Sequence, residues 1–354
     1  MRVIYFGTYE RRYPRNAQVI SCLRGAGVEV VERHEPVWEG REEKWSVGPG
    51  AVARLALAEA RLFARRAPDA DVVLVGYPGH LDLRAARRAA RGRPVVFNPL
   101  VSPADTLVGD RGRFGQRSLS ARTLRRIDRR AFRSADLVVA DTETHAEFLA
   151  DLAGLPRDRL AVCFVGAEER VFRPGWSPEG PFTALFVGKL IPLHGLDTIL
   201  EAARLAPELA VRVVGSGQLD HLLTTRPPNV EWVPWVEYER LPGEIRRASC
   251  SLGIFGTSDK AARVIPNKVF QALACGAPVV TGDTPAAREL LADGESALLV
   301  PPGDPQALAD ALRRLAAEPD IARRIAAAGH AVYGERASEA VLGQRWRVLL
   351  EELR

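Results

Sequence analysis

Long apolar runs are missing from this 354-residue chain: none approaches the roughly 20 residues a helix needs to cross a bilayer. A helical membrane span is therefore excluded. The opening Met1-Arg2-Val3-Ile4-Tyr5-Phe6-Gly7 is too short and too strand-like for a signal peptide, so a cytoplasmic location is expected. Cysteine is equally scarce. Cys22, Cys163, Cys250 and Cys275 stand far apart, in or beside apolar segments, with no C-x-x-C pair and no His at metal-ligand spacing. Neither a disulfide framework nor a zinc site fits, and the four read as reduced, buried, inert thiols. Paired carboxylates are lacking too. The one D-x-D, Asp69-Ala70-Asp71, precedes an expected strand instead of ending one and reads as a strand-entry turn, so no metal is expected. Aromatic residues are few (7%) and do not interleave with the basic ones, which speaks against nucleic acid.

What is present describes a packed protein. Hydrophobic residues make up 47% and charged residues 26%, a globular balance, and the length suits two domains. Short β-branched runs alternate with helical patterns, the mark of βαβ units and parallel sheets. The expected strands of the first half are Val3–Phe6, Val28–Val31, Val72–Val75, Pro94–Phe97, Leu137–Ala140 and Leu160–Val165. A stretch rich in Gly, Pro and Trp, residues 167–181, breaks the rhythm as a linker. It resumes with Phe182–Val187, Val211–Val214, Val230–Val233, Leu252–Phe255, Pro278–Thr281 and Ala297–Val300. From Pro305 onward only helices are expected. The reading is α/β: a Rossmann-like domain at 1–166, a second at 182–335, and a last helix at 336–354 returning to the first domain.

Charge is unevenly placed. Of the 49 Lys and Arg residues 30 lie in residues 1–175, against half of the 44 acids. Nine arginines fall between Arg111 and Arg133 with one acid, Asp128. Leu119, Thr123, Leu124, Ile127 and Ala131 form an apolar stripe through this run, which predicts an amphipathic helix packed by that stripe with its arginines outward. Two readings stand: a solvated face, or contact of Arg117, Arg122, Arg125 and Arg129 with an anionic membrane or a lipid-phosphate acceptor.

Ligands of parallel sheets bind at the carboxyl ends of the strands. Three strand-end loops of the second half carry small residues and cations. In Gly188-Lys189-Leu190-Ile191-Pro192-Leu193-His194-Gly195, Lys189 offers a point charge to a diphosphate. In Gly215-Ser216-Gly217, the glycines offer backbone N–H groups to a phosphate or ribose. The third loop runs from Ser258 through Asp259, Arg263, Pro266, Asn267 and Lys268 to Gln271. Proline at a helix start would gather Arg263 and Lys268 about a positive helix end, with Gln271 one turn on.

The order Gly-Lys-Leu…Pro-Leu-His-Gly-Leu, Val-Gly-Ser-Gly and Pro-Asn-Lys-Val-Phe-Gln-Ala-Leu-Ala-Cys-Gly-Ala-Pro-Val-Val resembles the donor half of family 4 glycosyltransferases. The resemblance covers about 170 residues well. It implies a GT-B fold, two Rossmann-like domains facing a cleft, and a retaining transferase of the kind found in bacterial-type glycan or glycoside biosynthesis. It also implies a nucleotide-sugar donor in the second domain and an acceptor hydroxyl in the first. The donor-side set is then Gly188, Lys189, His194, Gly215, Gly217, Trp235, Val236, Asp259, Asn267, Lys268 and Gln271, with Lys189, Lys268, Arg263 and His80 as catalytic candidates. Two positions depart from the family pattern. His194 stands where lysine is common, and Arg263 and Gln271 replace two glutamates eight apart.

On the acceptor side the strand-end loops of the first half supply Gly7, Arg15, Asn16, His80, Asn98 and Asp105, while His145 is expected on the surface. A nucleotide-sugar 2-epimerase and a non-catalytic sugar-nucleotide-binding subunit remain the alternatives. Partners expected are the donor, a sugar-containing or hydroxyl acceptor, and peripheral contact with anionic membrane.

Overall fold

The computed structural model describes residues 1–39, 49–64 and 68–354. They form two compact units, one of Met1–Val108, Gly112–Phe164 and Glu339–Arg354, the other of Gly109–Arg111 and Val165–Ser338.

The first unit runs β1 (Arg2–Gly7), α1 (Pro14–Gly25), β2 (Glu29–His34), α2 (Pro49–Ala64), β3 (Val72–Val75), α3 (Leu83–Ala90), β4 (Val95–Phe97), α4 (Leu119–Ser134), β5 (Leu137–Ala140), α5 (Glu143–Ala153) and β6 (Leu160–Val162). The strands pair in parallel, in the order β2-β1-β3-β4-β5-β6. Val72–Val75 is buried throughout, as in a strand covered on both faces.

The second unit runs β7 (Thr183–Val187), α6 (Leu196–Leu205), β8 (Ala210–Val214), β9 (Val230–Val233), α7 (Leu241–Arg247), β10 (Cys250–Leu252), α8 (Asn267–Cys275), β11 (Val279–Gly282), α9 (Pro285–Arg288), β12 (Leu298–Val300), α10 (Pro305–Ala317) and α11 (Pro319–Arg336). Its parallel order is β12-β11-β10-β7-β8-β9. The last helix, α12 (Glu339–Glu351), packs on α1 in the first unit, where Trp346 is fully buried with Leu342 and Leu350. No helix among the described residues is long and apolar enough to cross a membrane.

Local chemistry sets several ends. Ser118, Thr142 and Asp304 accept a backbone N–H at the starts of α4, α5 and α10, and α5 stops at left-handed Gly154. The four cysteines are free and buried, and burial pushes Cys163 up to about 11 and Cys250 and Cys275 up to about 12.

Residues 167–181 pack on the second unit: Gly175, Ser177 and Glu179 donate to the backbone of Cys275, Arg246 and Arg247, and the Trp176 indole donates to Ala248 O. Three expectations are corrected. The strand expected at Leu252–Phe255 ends at Leu252, after which Phe255 N turns to His194 O. In α4 the buried residues are Ala121, Asp128, Ala131 and Phe132, while Leu119 is 79% exposed. The helix is rotated so because Asp128 is drawn inward by Ser102 Oγ (2.6 Å) and Ala104 N (3.1 Å). His145 is buried, not superficial, since its Nδ1 bonds the Asp141 carboxylate at the end of β5.

Candidate functional site

In each sheet the direction of strand addition reverses, and at such a point two neighbouring strand-end loops diverge and leave a crevice. In the second unit the reversal lies between β7 and β10. The loops there are the one holding Gly188 to Gly195 and the one leading to α8, two of the three singled out in the sequence.

Glycine is required on geometric grounds. Gly188 has φ +150°, and a Cβ on it would lie 2.9 Å from Lys268 Nζ and 3.4 Å from the His194 ring. A Cβ on Gly215 (φ +133°) would fall 2.0 Å from Gly188 O, and one on Gly217 2.7 Å from Leu190 O. The loops after β7 and β8 thus lie backbone against backbone. This corrects the expected role of the Gly215–Gly217 turn. Gly215 N donates to Val233 O (2.9 Å) and Gly217 N to Asp220 Oδ1 (2.6 Å), so these amides are committed within the protein and the glycines serve close approach.

Lys268 is the central side chain. It sits in the first turn of α8, 6% exposed, with Nζ 3.7 Å from the centroid of the Phe186 ring and without a hydrogen-bond partner among the described residues. Burial alone drives its pKa well below the usual lysine value. Pro266 is the N-cap of α8 and supplies no capping side chain, so an anion there would meet a helix N-terminus and a buried ammonium together.

His194 is 8% exposed, its ring edge-on to Phe186 (5.5 Å) and its Nδ1 bonded to Lys189 O. Burial first, then Lys268, drives its pKa well below 6.5. A neutral imidazole whose Nδ1–H donates to a carbonyl has only an acceptor at Nε2. His194 thus offers a bound anion no N–H, and it shapes the loop by holding the Lys189 carbonyl.

The remaining donor-side candidates spread out along the sheet edge. Lys189 and Asp259 are exposed, and Arg263 and Asn267 are half-buried just before and at the start of α8. Gln271 is buried one turn beyond Lys268, beside the Tyr238 hydroxyl. Burial and then Glu168 push that phenol upward. Tyr238 was not foreseen, because nothing in its local sequence signals that it meets α8. Trp235 is 72% exposed on the loop after the edge strand β9, with half-buried Val236 beside it.

The acceptor-side candidates are mostly internal. Arg15 is fully buried and donates to Asn98 Oδ1 (3.0 and 3.1 Å), Phe164 O (2.8 Å) and Cys163 O (3.2 Å). Asn16 accepts from Tyr5 and Tyr77 N and donates to the carbonyls of Glu10 and Tyr77. These three residues lock β1, α1 and β4 together. Gly7 leaves room for Asp82, which accepts from Thr8 N (2.6 Å) and Thr8 Oγ1 (3.0 Å). Asp105 is half-buried, its N–H donating to Ser102 Oγ (3.0 Å). His80 is 9% exposed between Phe97 and Phe132, its Nδ1 bonded to Pro78 O and its Nε2 3.6 Å from Asp128 Oδ1. Burial lowers His80 to about 4 and raises Asp128 to about 6, so the imidazole is neutral and built into the core. Among the described residues no three His, Cys, Asp or Glu side chains are grouped to hold a metal ion.

Known proteins share this organisation. Residues 1–166 match the family model described as glycosyl transferase 4-like domain, and residues 181–318 match that of glycosyl transferases group 1. The chain belongs to this glycosyltransferase family. It is 29% identical over 214 residues to the D-inositol 3-phosphate glycosyltransferase of Acidothermus cellulolyticus, a match covering 51% of this chain and 46% of that one. It is also 29% identical over 308 residues to the GDP-mannose-dependent alpha-mannosyltransferase of Mycobacterium tuberculosis, covering 82% and 74%. The chain spans about half the length of the first of these relatives. Among solved structures, HepE of Anabaena in complex with UDP-glucose has a TM-score of 0.71 at 17% identity, covering 99% of this chain and 100% of that one. Sucrose-phosphate synthase from Thermosynechococcus elongatus has a TM-score of 0.76 at 16% identity, covering 99% and 98%. These likenesses show the shared GT-B fold.

Proposed function

We propose that the protein is a retaining, metal-independent glycosyltransferase that moves a sugar from a nucleoside-diphosphate sugar to an acceptor hydroxyl on a glycan, a lipid-linked saccharide or a small natural product. The observation that carries this is Lys268: a buried ammonium with no hydrogen-bond partner among the described residues, against Gly188, at the reversal point of the second sheet. Burying a cation without an anion is unfavourable. A bound diphosphate supplies the missing partner.

In the reaction the glycosidic C–O bond breaks as negative charge grows on the departing diphosphate. Lys268, Lys189 and the N-terminus of α8 stabilise that charge in place, with Arg263 beside them, the role a divalent cation plays elsewhere. The departing phosphate takes the proton of the acceptor hydroxyl as the new C–O bond forms. Arg15, Asn16, His80 and Asn98 have structural roles in the first unit, which holds the acceptor. Exposed Trp235 offers an aromatic face to the nucleobase. Four unpaired, buried thiols accord with a cytoplasmic enzyme. The names of the relatives and neighbours support UDP- and GDP-sugars as the first donors to try.

The test is a thermal-shift screen of UDP-, GDP-, ADP- and dTDP-sugars, followed by transfer assays with and without EDTA. A true donor at 100 times its dissociation constant adds about 2.7 kcal/mol of stability. No stabilisation by any of them, or activity abolished by EDTA, would overturn the proposal; a donor-only incubation that yields an epimer would replace it with epimerisation.

A further inference from the structure

Several arginines elsewhere on the molecule are neutralised by carboxylates. Arg87 pairs with Asp136, Arg157 with Glu143, Arg212 with Glu231 and Glu244, and Arg313 with Glu208. Helix α4 is different. Among the described residues no carboxylate pairs with Arg122, Arg125, Arg126, Arg129, Arg130 or Arg133, which line one shallow groove with Leu119. Three of them are steadied by neutral oxygens instead: Arg125 by Gln116, Arg129 by Leu152 O and Arg133 by Ala153 O. These bonds hold the guanidinium groups, those of Arg129 and Arg133 at the C-terminus of α5, and none of them supplies a carboxylate.

At 100° per residue Leu119, Arg122, Arg126, Arg129, Arg130 and Arg133 fall within an arc of about 100° along the whole helix. The opposite side carries buried Ala121, Asp128, Ala131 and Phe132. Leu119 heads the arginine stripe, 79% exposed, the most exposed large apolar side chain described. A soluble polyanion would use the arginines and gain nothing from this leucine. A bilayer uses both, since guanidinium groups meet phosphate headgroups while an apolar side chain enters the acyl boundary. No aromatic residue stands in the stripe to stack on bases.

We propose that this face of α4 is a docking surface for an anionic lipid bilayer, with the arginine stripe lying along the headgroups and Leu119 inserted at one end. The inference is independent of the donor-site reading, because α4 lies in the first unit and shares no residue with that site.

The test is co-sedimentation of the full chain with vesicles of phosphatidylcholine and of phosphatidylcholine and phosphatidylglycerol in equal parts, across a salt series. Binding is expected only to the anionic vesicles and is expected to weaken as salt rises. Each arginine near such a surface contributes roughly fivefold in partitioning, so the triple variant Arg122→Gln, Arg126→Gln, Arg130→Gln should lose about a hundredfold. Leu119→Ser should lose about tenfold with its salt dependence unchanged. All these side chains are exposed, and melting temperatures close to that of the parent protein establish that the variants fold. Equal binding to neutral and anionic vesicles, no vesicle binding, or variants that bind like the parent would overturn the proposal. So would tight binding to heparin or single-stranded DNA, undiminished by Leu119→Ser, in the absence of vesicle binding.

Discussion

Replacing Lys268 by methionine should make the empty protein more stable and the enzyme inactive. Lys268 is 6% exposed and, among the described residues, its ammonium has no hydrogen-bond partner and meets the Phe186 face at 3.7 Å. A desolvated cation–π contact is worth about 2 kcal/mol, whereas the penalty for burying an ion is several kcal/mol even after relaxation. Desolvation wins. Methionine keeps the unbranched length and gains a sulfur–aromatic contact of about 0.3–1.5 kcal/mol. The expected gain is therefore about 1–3 kcal/mol, at roughly 2–4 °C of Tm per kcal/mol for a unit of this size. Activity should fall about 100- to 1000-fold, the usual loss of one preorganised charge-stabilising group. The pH dependence follows in sign. The folded-state pKa lies below 10.5, so between the two values the unfolded chain binds more protons and stability rises with pH. That slope should vanish in Lys268→Met. Melting scans with and without the donor found by screening, over a pH series, read the stability, its pH slope and the ligand-induced shift, and a transfer assay reads the activity. A variant that melts lower than the parent and keeps the full ligand-induced shift would refute the reasoning.

Proton uptake is the second expectation. UDP-glucose, whose phosphates do not titrate near neutrality, should bind with proton uptake above the lowered Lys268 pKa and more weakly as pH rises, which calorimetry in buffers of different ionisation enthalpy measures; buffer-independent heats would contradict it. Gly188→Ala should cost about 1–3 kcal/mol of stability through its φ of +150° and weaken donor binding at least tenfold by placing a methyl against Lys268 Nζ; unchanged affinity would remove the close approach from the site. Trp346→Ala should destabilise the first unit by about 3–5 kcal/mol in urea titrations while leaving the second unit's transition in place, and a shift of the second unit alone would contradict the packing of α12 on α1. Trp235→Phe should remove any change in tryptophan fluorescence on nucleotide binding, with little effect on Tm because the ring is 72% exposed.

The amino-acid sequence by itself determined the double sheet and the neighbourhood of the candidate anion site. Parallel strands covered on both faces read as unbroken apolar runs such as Val72–Val75. Gly188, Gly215 and Lys268 were legible because positive φ, close backbone approach and a cation at a helix start each demand a residue type. The tertiary structure alone decided what those residues face. His194 became an acceptor because a carbonyl five residues away takes its Nδ1–H, and Gly217 lost its amide to Asp220. Arg15, which looked like a strand-end ligand, is consumed by Asn98 and by carbonyls about 150 positions later. Asp128 turned α4 so that Leu119 faces outward and His80 lies in the core. Hydrogen-bond partners and burial are set by segments distant along the chain, and no local pattern encodes them. Strand-end glycines and cations therefore marked the candidate site, while burial and hydrogen bonding distinguished the residues left to meet a ligand from those used by the fold.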